Sequence, residues 1–226
     1  SMDATGRYYV AMQLASEQPF ADKVSNETAT AIGIDLNTDN FLTDSEGDIV
    51  ANPRYYRSVS GKLAKAPRRA RRAKQEHRPL CDAKNYQKQR NVVATIQRKI
   101  ANRRKNFLHL VSTTLIKNHD LVVAEELRSK NMLRNHALAM SISDVGWRTF
   151  LVMLAYKADL YGQKFITVNP RNTTQTCHDC GFVMGTGTTN KLTLADRDWI
   201  CPQCETHHIR DHNAAQNILA KGLASM

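Results

Sequence analysis

The sequence predicts an α/β fold: a mixed sheet flanked by helices, with a small four-cysteine insert near the carboxyl end. Three observations carry this. Short β-rich apolar runs joined by turn residues come first, helical periodicity then alternates with single apolar strands, and two Cys-x-x-Cys pairs stand twenty residues apart before a final helical stretch. At 226 residues the chain can bury one medium core and a small satellite.

Residues 7–14 (RYYVAMQL) have the aromatic and β-branched character of a strand, followed by a polar, loop-like stretch over 16–26. Residues 31–36 (AIGIDL) read as a buried strand ending in an acid, with two more strands at 41–43 and 49–51 and a turn over 44–47 (DSEG). Tight turns make these three an antiparallel meander. From Lys62 to about Leu115 the pattern becomes helical, broken near Pro67 and Pro79. Val93, Ile96, Ile100, Phe107, Val111 and Leu115 form its apolar stripe. Residues 121–125 (LVVAE) are an apolar strand after a helix, which predicts parallel pairing with an earlier strand. A helix over 147–161 stopped by Gly162, a strand over 164–168 and a last helix over about 212–221 complete the order. This succession resembles a ribonuclease-H-type sheet.

Net charge is +11, and residues 62–105 carry sixteen Lys/Arg against only Glu76 and Asp82, a local surplus of fourteen. Phosphate is the natural partner of such a block, a solvated helical face its plain alternative. No run approaches the roughly 18 apolar residues of a membrane span, and no export leader is recognisable, so a cytoplasmic, nucleoid-associated protein without a membrane partner is expected.

Cys177-x-x-Cys180 and Cys201-x-x-Cys204 have the spacing of a tetrahedral four-thiolate zinc site, one closed structural Zn²⁺ that leaves His178, His207 and His208 outside the ligand set. Gly181 and Pro202 suit the tight turns such a site needs. With residues 186–190 offering no core, folding of the insert is expected to draw on the metal. The fifth cysteine, Cys81, reads as an ordinary thiol.

Asp35 and Glu125 each close an apolar strand, and Asp211 heads the last helix. Ligands of open α/β sheets gather at the carboxyl ends of strands. Three acids meeting there would repel each other, and hard divalent cations, Mg²⁺ or Mn²⁺, would resolve the conflict, two ions about 4 Å apart being able to drive phosphodiester hydrolysis. Singly, each acid has a simpler role: a turn former, a helix-starting acid, an N-cap. Strand pleating admits only one of Glu125 and Glu126, and periodicity does not choose.

Four motifs in order, Gly33-Ile34-Asp35-Leu36, Val122 to Leu127 (VVAEEL), Pro170 to Gly181 (PRNTTQTCHDCG) and Asp211 to Ile218 (DHNAAQNI), resemble the TnpB proteins of insertion sequences. These are similar to the RuvC-type nuclease half of type V CRISPR effectors. The resemblance covers nearly everything from residue 7 to 226. It implies an RNase H-like, RuvC-type sheet; Asp35, Glu125 and Asp211 as catalytic, Mg²⁺-holding acids, with Glu125 chosen over Glu126; and an RNA-guided DNA endonuclease with DNA and guide RNA as partners. Arg98, Lys99, Arg103, Arg104 and Lys105 would then follow phosphates. A catalytically inactive RNA- or DNA-binding module with a zinc ribbon is the alternative.

The implied division is a remnant strand and linker over 1–28, the first part of the nuclease domain over 29–172 with basic helices at 62–115, a zinc ribbon over 173–207, and a final nuclease segment over 208–226. Asn37 stands where the family often has glycine, and Ile209 where it often has an acid. The long amino-terminal region of family members is represented by residues 7–14 alone, implying the nuclease half of a longer protein.

Overall fold

Five strands assemble as one mixed sheet: β1 Ala31–Leu36, β2 Asn40–Asp44, β3 Ile49–Ala51, β4 Leu121–Glu125 and β5 Lys164–Val168, in the order β3-β2-β1-β4-β5. The computed structural model describes residues 1–3, 5–13, 15, 30–61, 84–126 and 145–226. Predicted helix over 62–83, with Cys81, lies outside them.

The first three strands are the expected meander: β1 pairs antiparallel with β2, and β2 with β3. Asp44 Oδ1 closes the β2–β3 turn by accepting the N–H groups of Glu46 and Asp48 at 3.0 and 2.9 Å, around Gly47 at φ 96°. The strand following the long helix joins β1 in parallel, and β5 joins β4 in parallel. Ile32, Ile34, Val122, Val123 and Ala124 are fully buried, as central strands covered on both faces require.

Helix α1 (Lys84–Asn118) is longer than the apolar stripe implied, and its carboxyl half is anchored by Leu108, Ser112, Leu115 and Ile116, with Val111 only half-buried. Helix α2 (Trp147–Tyr161) ends where glycine predicts it, at Gly162, whose left-handed backbone returns its N–H to Ala158 O. Phe150 of α2 meets Phe41 of β2 edge-to-face at 4.8 Å. Lys157 of α2 is buried and donates to His109 O, Ser112 Oγ and Thr113 Oγ1 of α1 at 2.7–2.8 Å.

Helix α3 (Arg210–Ala224) starts earlier and runs further than the sequence pattern and lies directly on the sheet. A Cβ at Gly33 of β1 would sit 2.3 Å from Ala215 O and 2.7 Å from Leu219 N; one at Gly222 would sit 2.5 Å from a Val123 methyl. Glycine on both sides therefore lets helix backbone touch strand.

The cysteine insert contains a two-stranded antiparallel ribbon absent from the sequence reading, β6 Asp198–Ile200 and β7 His207–Ile209. It also has a small core: Phe182, Met184 and Leu192 pack on Cys177, Trp199 and Cys201. Residues 186–190 contribute nothing to it, but the insert as a whole does bury apolar surface.

The chain divides into two compact units, Ser1–Gln18 with Arg54–Phe107, and Pro19–Pro53 with Leu108–Met226. The second holds the sheet and the insert. In the first, residues 7–13 do not form the expected strand. Tyr8 makes one isolated bridge to Met2, and Asp3 instead closes a local turn by accepting the N–H groups of Thr5 and Arg7 at 2.8 and 3.0 Å. Asp3 also pairs with Arg98 of α1 at 3.3 Å. No helix among the described residues is long and apolar enough to cross a membrane.

Candidate functional site

The sheet register brings Asp35 and Glu125 side by side. Ile34 of β1 pairs with Ala124 of β4, and the two acids follow one step later on adjacent parallel strands. Each lies two residues beyond a position that faces α3, Gly33 and Val123, so strand alternation turns both acids toward the helix. Glu126 is exposed, with its N–H given to Val168 O at 2.8 Å. Asp211 enters from above in the first turn of α3, behind Ile209 at the N-cap position, so it is not itself the cap.

The electrostatics record this meeting. Burial pushes the Asp35 carboxyl up to about 8, reinforced by the negative charges of Glu125 and Asp211 and opposed by Arg210 and a hydrogen bond from Asn37. Burial also raises Glu125, against the hydroxyl of Thr173, which donates to its Oε1, and the charge of Lys221. Asn37 accepts the Asn40 N–H at 2.8 Å and so tightens the β1–β2 turn beside Asp35.

Asp211 is compensated differently. Arg210 donates Nε and Nη2 to its Oδ1 at 3.0 and 2.8 Å, and Arg197 Nη1 lies 3.4 Å from its Oδ2. Arg197 also pairs with Asp39. Asp35, Arg197, Arg210 and Asp211 line one cavity of about 620 Å³. Among the described residues, the three acids are not one of the clusters whose ligand atoms all lie within 4.8 Å of one another, and two arginines contact Asp211. Sequence reasoning assigned compensation to cations alone and missed both arginines. The donor set still fits a hard cation: Asp35 is a desolvated carboxylate flanked by carboxylate oxygens, the ligands Mg²⁺ selects.

The four cysteines do meet. Cys177 and Cys204 Sγ are 3.6 Å apart, Cys180 and Cys201 Sγ 3.5 Å, and all four lie within 4.8 Å of one another. Tetrahedral Zn–S bonds of about 2.3 Å require sulfurs roughly 3.8 Å apart, so the cluster can hold one zinc ion. The two halves repeat one turn. Cys177 N–H bonds Phe182 O and Gly181 N–H bonds Cys177 O; Cys201 N–H bonds Thr206 O and Glu205 N–H bonds Cys201 O. Glu205, at φ 61°, occupies the left-handed position that Gly181 takes at φ 76°. Burial pushes the Cys177 thiol up to about 12, whereas hydrogen bonding with Thr206 holds Cys204 down to about 6. His208, whose ring is tilted 33° to that of Trp199 with centroids 4.7 Å apart, places Nε2 3.1 Å from Cys177 Sγ, beside the cysteine cluster.

Asn213 and Asn217 join the insert to α3, another role the sequence reading missed. Asn213 accepts the His178 N–H at 2.9 Å and donates to Thr176 O at 2.8 Å, and Asn217 donates to Thr173 O and Thr176 O. Their four-residue spacing on one helix face was the available signal. Ribbon strand β7 leads straight into α3, so cysteine site and Asp211 share one rigid connection. Of the basic residues singled out, Arg98 is tied to Asp3, while Lys99, Arg103 and Lys105 are exposed and Arg104 half-buried.

Comparison with known proteins agrees with this architecture. Residues 12–136 match a family model described as "Probable transposase" (OrfB, IS605), and residues 147–218 match "Cas12f1-like, TNB domain". A "Putative RNA-guided DNA endonuclease" of Streptomyces pristinaespiralis is 37% identical over 100% of this chain and 52% of its own length. InsQ of Escherichia coli (strain K12), with the same description, is 30% identical over 97% of this chain and 55% of its own. The chain thus spans about half the length of these relatives. The mixed α/β fold resembles the Cas12f1 chain of a Cas12f1–sgRNA–target DNA complex, with a TM-score of 0.54 at 16% identity over 84% of this chain and 49% of that one. It also resembles a chain of a CRISPR-Cas12f ternary complex, at 0.57 and 19% over 90% and 40%. With more than half of its residues inside the transposase model, this chain belongs to the TnpB-type family of probable transposases.

Proposed function

We propose that this chain is the metal-dependent nuclease portion of an RNA-guided DNA endonuclease, hydrolysing phosphodiesters in single-stranded or unwound DNA. The sheet is read as RNase H-like, of RuvC type, on its order β3-β2-β1-β4-β5 with an antiparallel meander followed by parallel strands. The observation that carries the reading is the convergence of three acids from distant sequence positions, Asp35, Glu125 and Asp211, on one desolvated neighbourhood at the carboxyl end of the central strands.

Asp35, Glu125 and Asp211 would hold Mg²⁺ or Mn²⁺ through their oxygens. The cations would supply water activation and stabilisation of the leaving oxygen. Thr173 orients Glu125 through its hydroxyl, and Arg210 fixes Asp211 against the head of α3. The zinc ribbon would brace the turn that carries Thr173 and the head of α3 that carries Asp211. DNA and guide RNA as partners of the longer protein are supported by the names of its relatives and by neighbours solved with sgRNA and target DNA. Exposed Lys99, Arg103 and Lys105 supply phosphate contacts in this reading.

Asp35→Asn in the zinc-loaded chain tests the proposal. Mn²⁺-dependent cleavage of single-stranded DNA is expected to vanish with the melting transition retained. Cleavage undiminished by the substitution refutes the assignment, and cleavage absent from the parent chain together with intact DNA binding favours the inert binding module.

A further inference from the structure

We propose that Arg197, whose guanidinium pairs with Asp39 and Asp211, is a substrate-phosphate residue of this site; the inference rests on the nuclease reading above. Arg197 stands at the head of β6, its carbonyl accepting the Arg210 N–H at 2.8 Å, so the ribbon delivers it to the first turn of α3. Its side chain borders two cavities. The cavity of about 620 Å³ that contains Asp35 and a second of about 280 Å³ beside Gly47 and His212 share three lining residues: Asp39, Arg197 and Asp211. Withdrawing the Arg197 side chain from this shared wall would widen the path past the carboxylates, where a single strand could lie.

The two arginines on Asp211 differ in how easily they leave. Arg210 is 7% exposed, gives two donors to Asp211 Oδ1, and spends Nη1 on Thr193 O at 3.0 Å. Arg197 is 45% exposed, and its longer contact, 3.4 Å, goes to the other oxygen, Oδ2. Exposed pairs of this kind are held weakly, and a phosphate offers the guanidinium a planar, bidentate partner. A divalent cation and Arg197 therefore compete for Asp211 Oδ2, and a phosphodiester resolves the competition by taking the arginine as the cation takes the carboxylate. Metal and nucleic acid each strengthen the other's binding by the same factor.

The experiment uses the zinc-loaded chain and its Arg197→Gln and Asp35→Asn variants, reading Mn²⁺ binding by electron paramagnetic resonance without nucleic acid. Binding of a short oligothymidylate is followed by fluorescence anisotropy across salt concentrations. Arg197→Gln is expected to bind Mn²⁺ about 1.4- to 5-fold more tightly, since the competitor is gone. Its oligonucleotide salt slope should be shallower by about 0.7, one single-strand phosphate contact. Mn²⁺ binding unchanged or weakened, or an unchanged slope, overturns the proposal. Retention of Mn²⁺ binding in Asp35→Asn sinks the nuclease reading on its own, whatever Arg197 does.

Discussion

Gly33→Ala is the most demanding test of how the fold builds its site. The added Cβ would stand 2.3 Å from Ala215 O, where ordinary contact begins at 3.4 Å, so α3 must retreat from β1 by roughly 1 Å. The obstacle is helix backbone, with Leu219 N at 2.7 Å behind it, and no side-chain rotation relieves it. Overpacking of this kind costs about 1–3 kcal/mol, a fall in melting temperature of roughly 2–12 °C for a chain of this size. Alanine recovers a part of that through the unfolded chain. Gly222→Ala is the internal comparison: its clash is with the Val123 methyls at 2.5 and 2.6 Å, and alanine in a helix gains about 1 kcal/mol. The smaller loss is expected there. Thermal unfolding by circular dichroism decides it. A Gly33→Ala transition within about 1 °C of the parent, or a larger loss at Gly222 than at Gly33, refutes the claim that backbone contact sets the height of α3 above the sheet.

Asn213→Ala leaves the His178 N–H and Thr176 carbonyl without their partner and should cost about 1–3 kcal/mol in urea unfolding; a loss below about 0.5 would mean that water replaces the amide. Chelation of zinc should expose Cys177 and Cys201 to a maleimide and remove amide protection across residues 177–204, and ready thiol reaction in the zinc-replete protein would contradict the four-thiolate centre. Glu205→Gly relieves a left-handed backbone worth about 1 kcal/mol and should slow zinc loss to a chelator, whereas faster loss would show that the Glu205 side chain matters more than its φ of 61°. Lys157 is lowered from its ordinary 10.5 by desolvation, so between its folded value and 10.5 the unfolded chain binds more protons and stability rises with pH. Measured against Lys157→Met by urea unfolding, the parent should gain stability as pH is raised toward 10.5; a relative loss would reverse the sign and refute the desolvated ammonium.

Local chemistry sufficed for much of this molecule. β-rich runs bounded by Asp44 to Gly47, a helix stopped at Gly162 and paired cysteines at metal spacing are written in neighbouring residues, because turn geometry, helix capping and thiolate ligation depend on positions a few residues apart. Parallel pairing of β4 with an earlier strand also followed from the intervening helix, and the structure supplies β1 as that strand. Sequence pattern erred at residues 7–13, where among the described residues only the isolated Met2–Tyr8 bridge forms and Asp3 closes a turn instead.

What tertiary structure alone decided is the company each charge keeps. Asp211 could be read as the head of a helix, but only packing puts Arg197, fourteen residues earlier, on the oxygen opposite the one its neighbour Arg210 holds. Glu125 prevails over Glu126 as the acid facing α3 because the β1–β4 register and the bare Cα of Gly33 admit the helix on that face. Coulomb energy and desolvation depend on distances between groups remote in the chain, and such distances exist only once the sheet is closed under the helix.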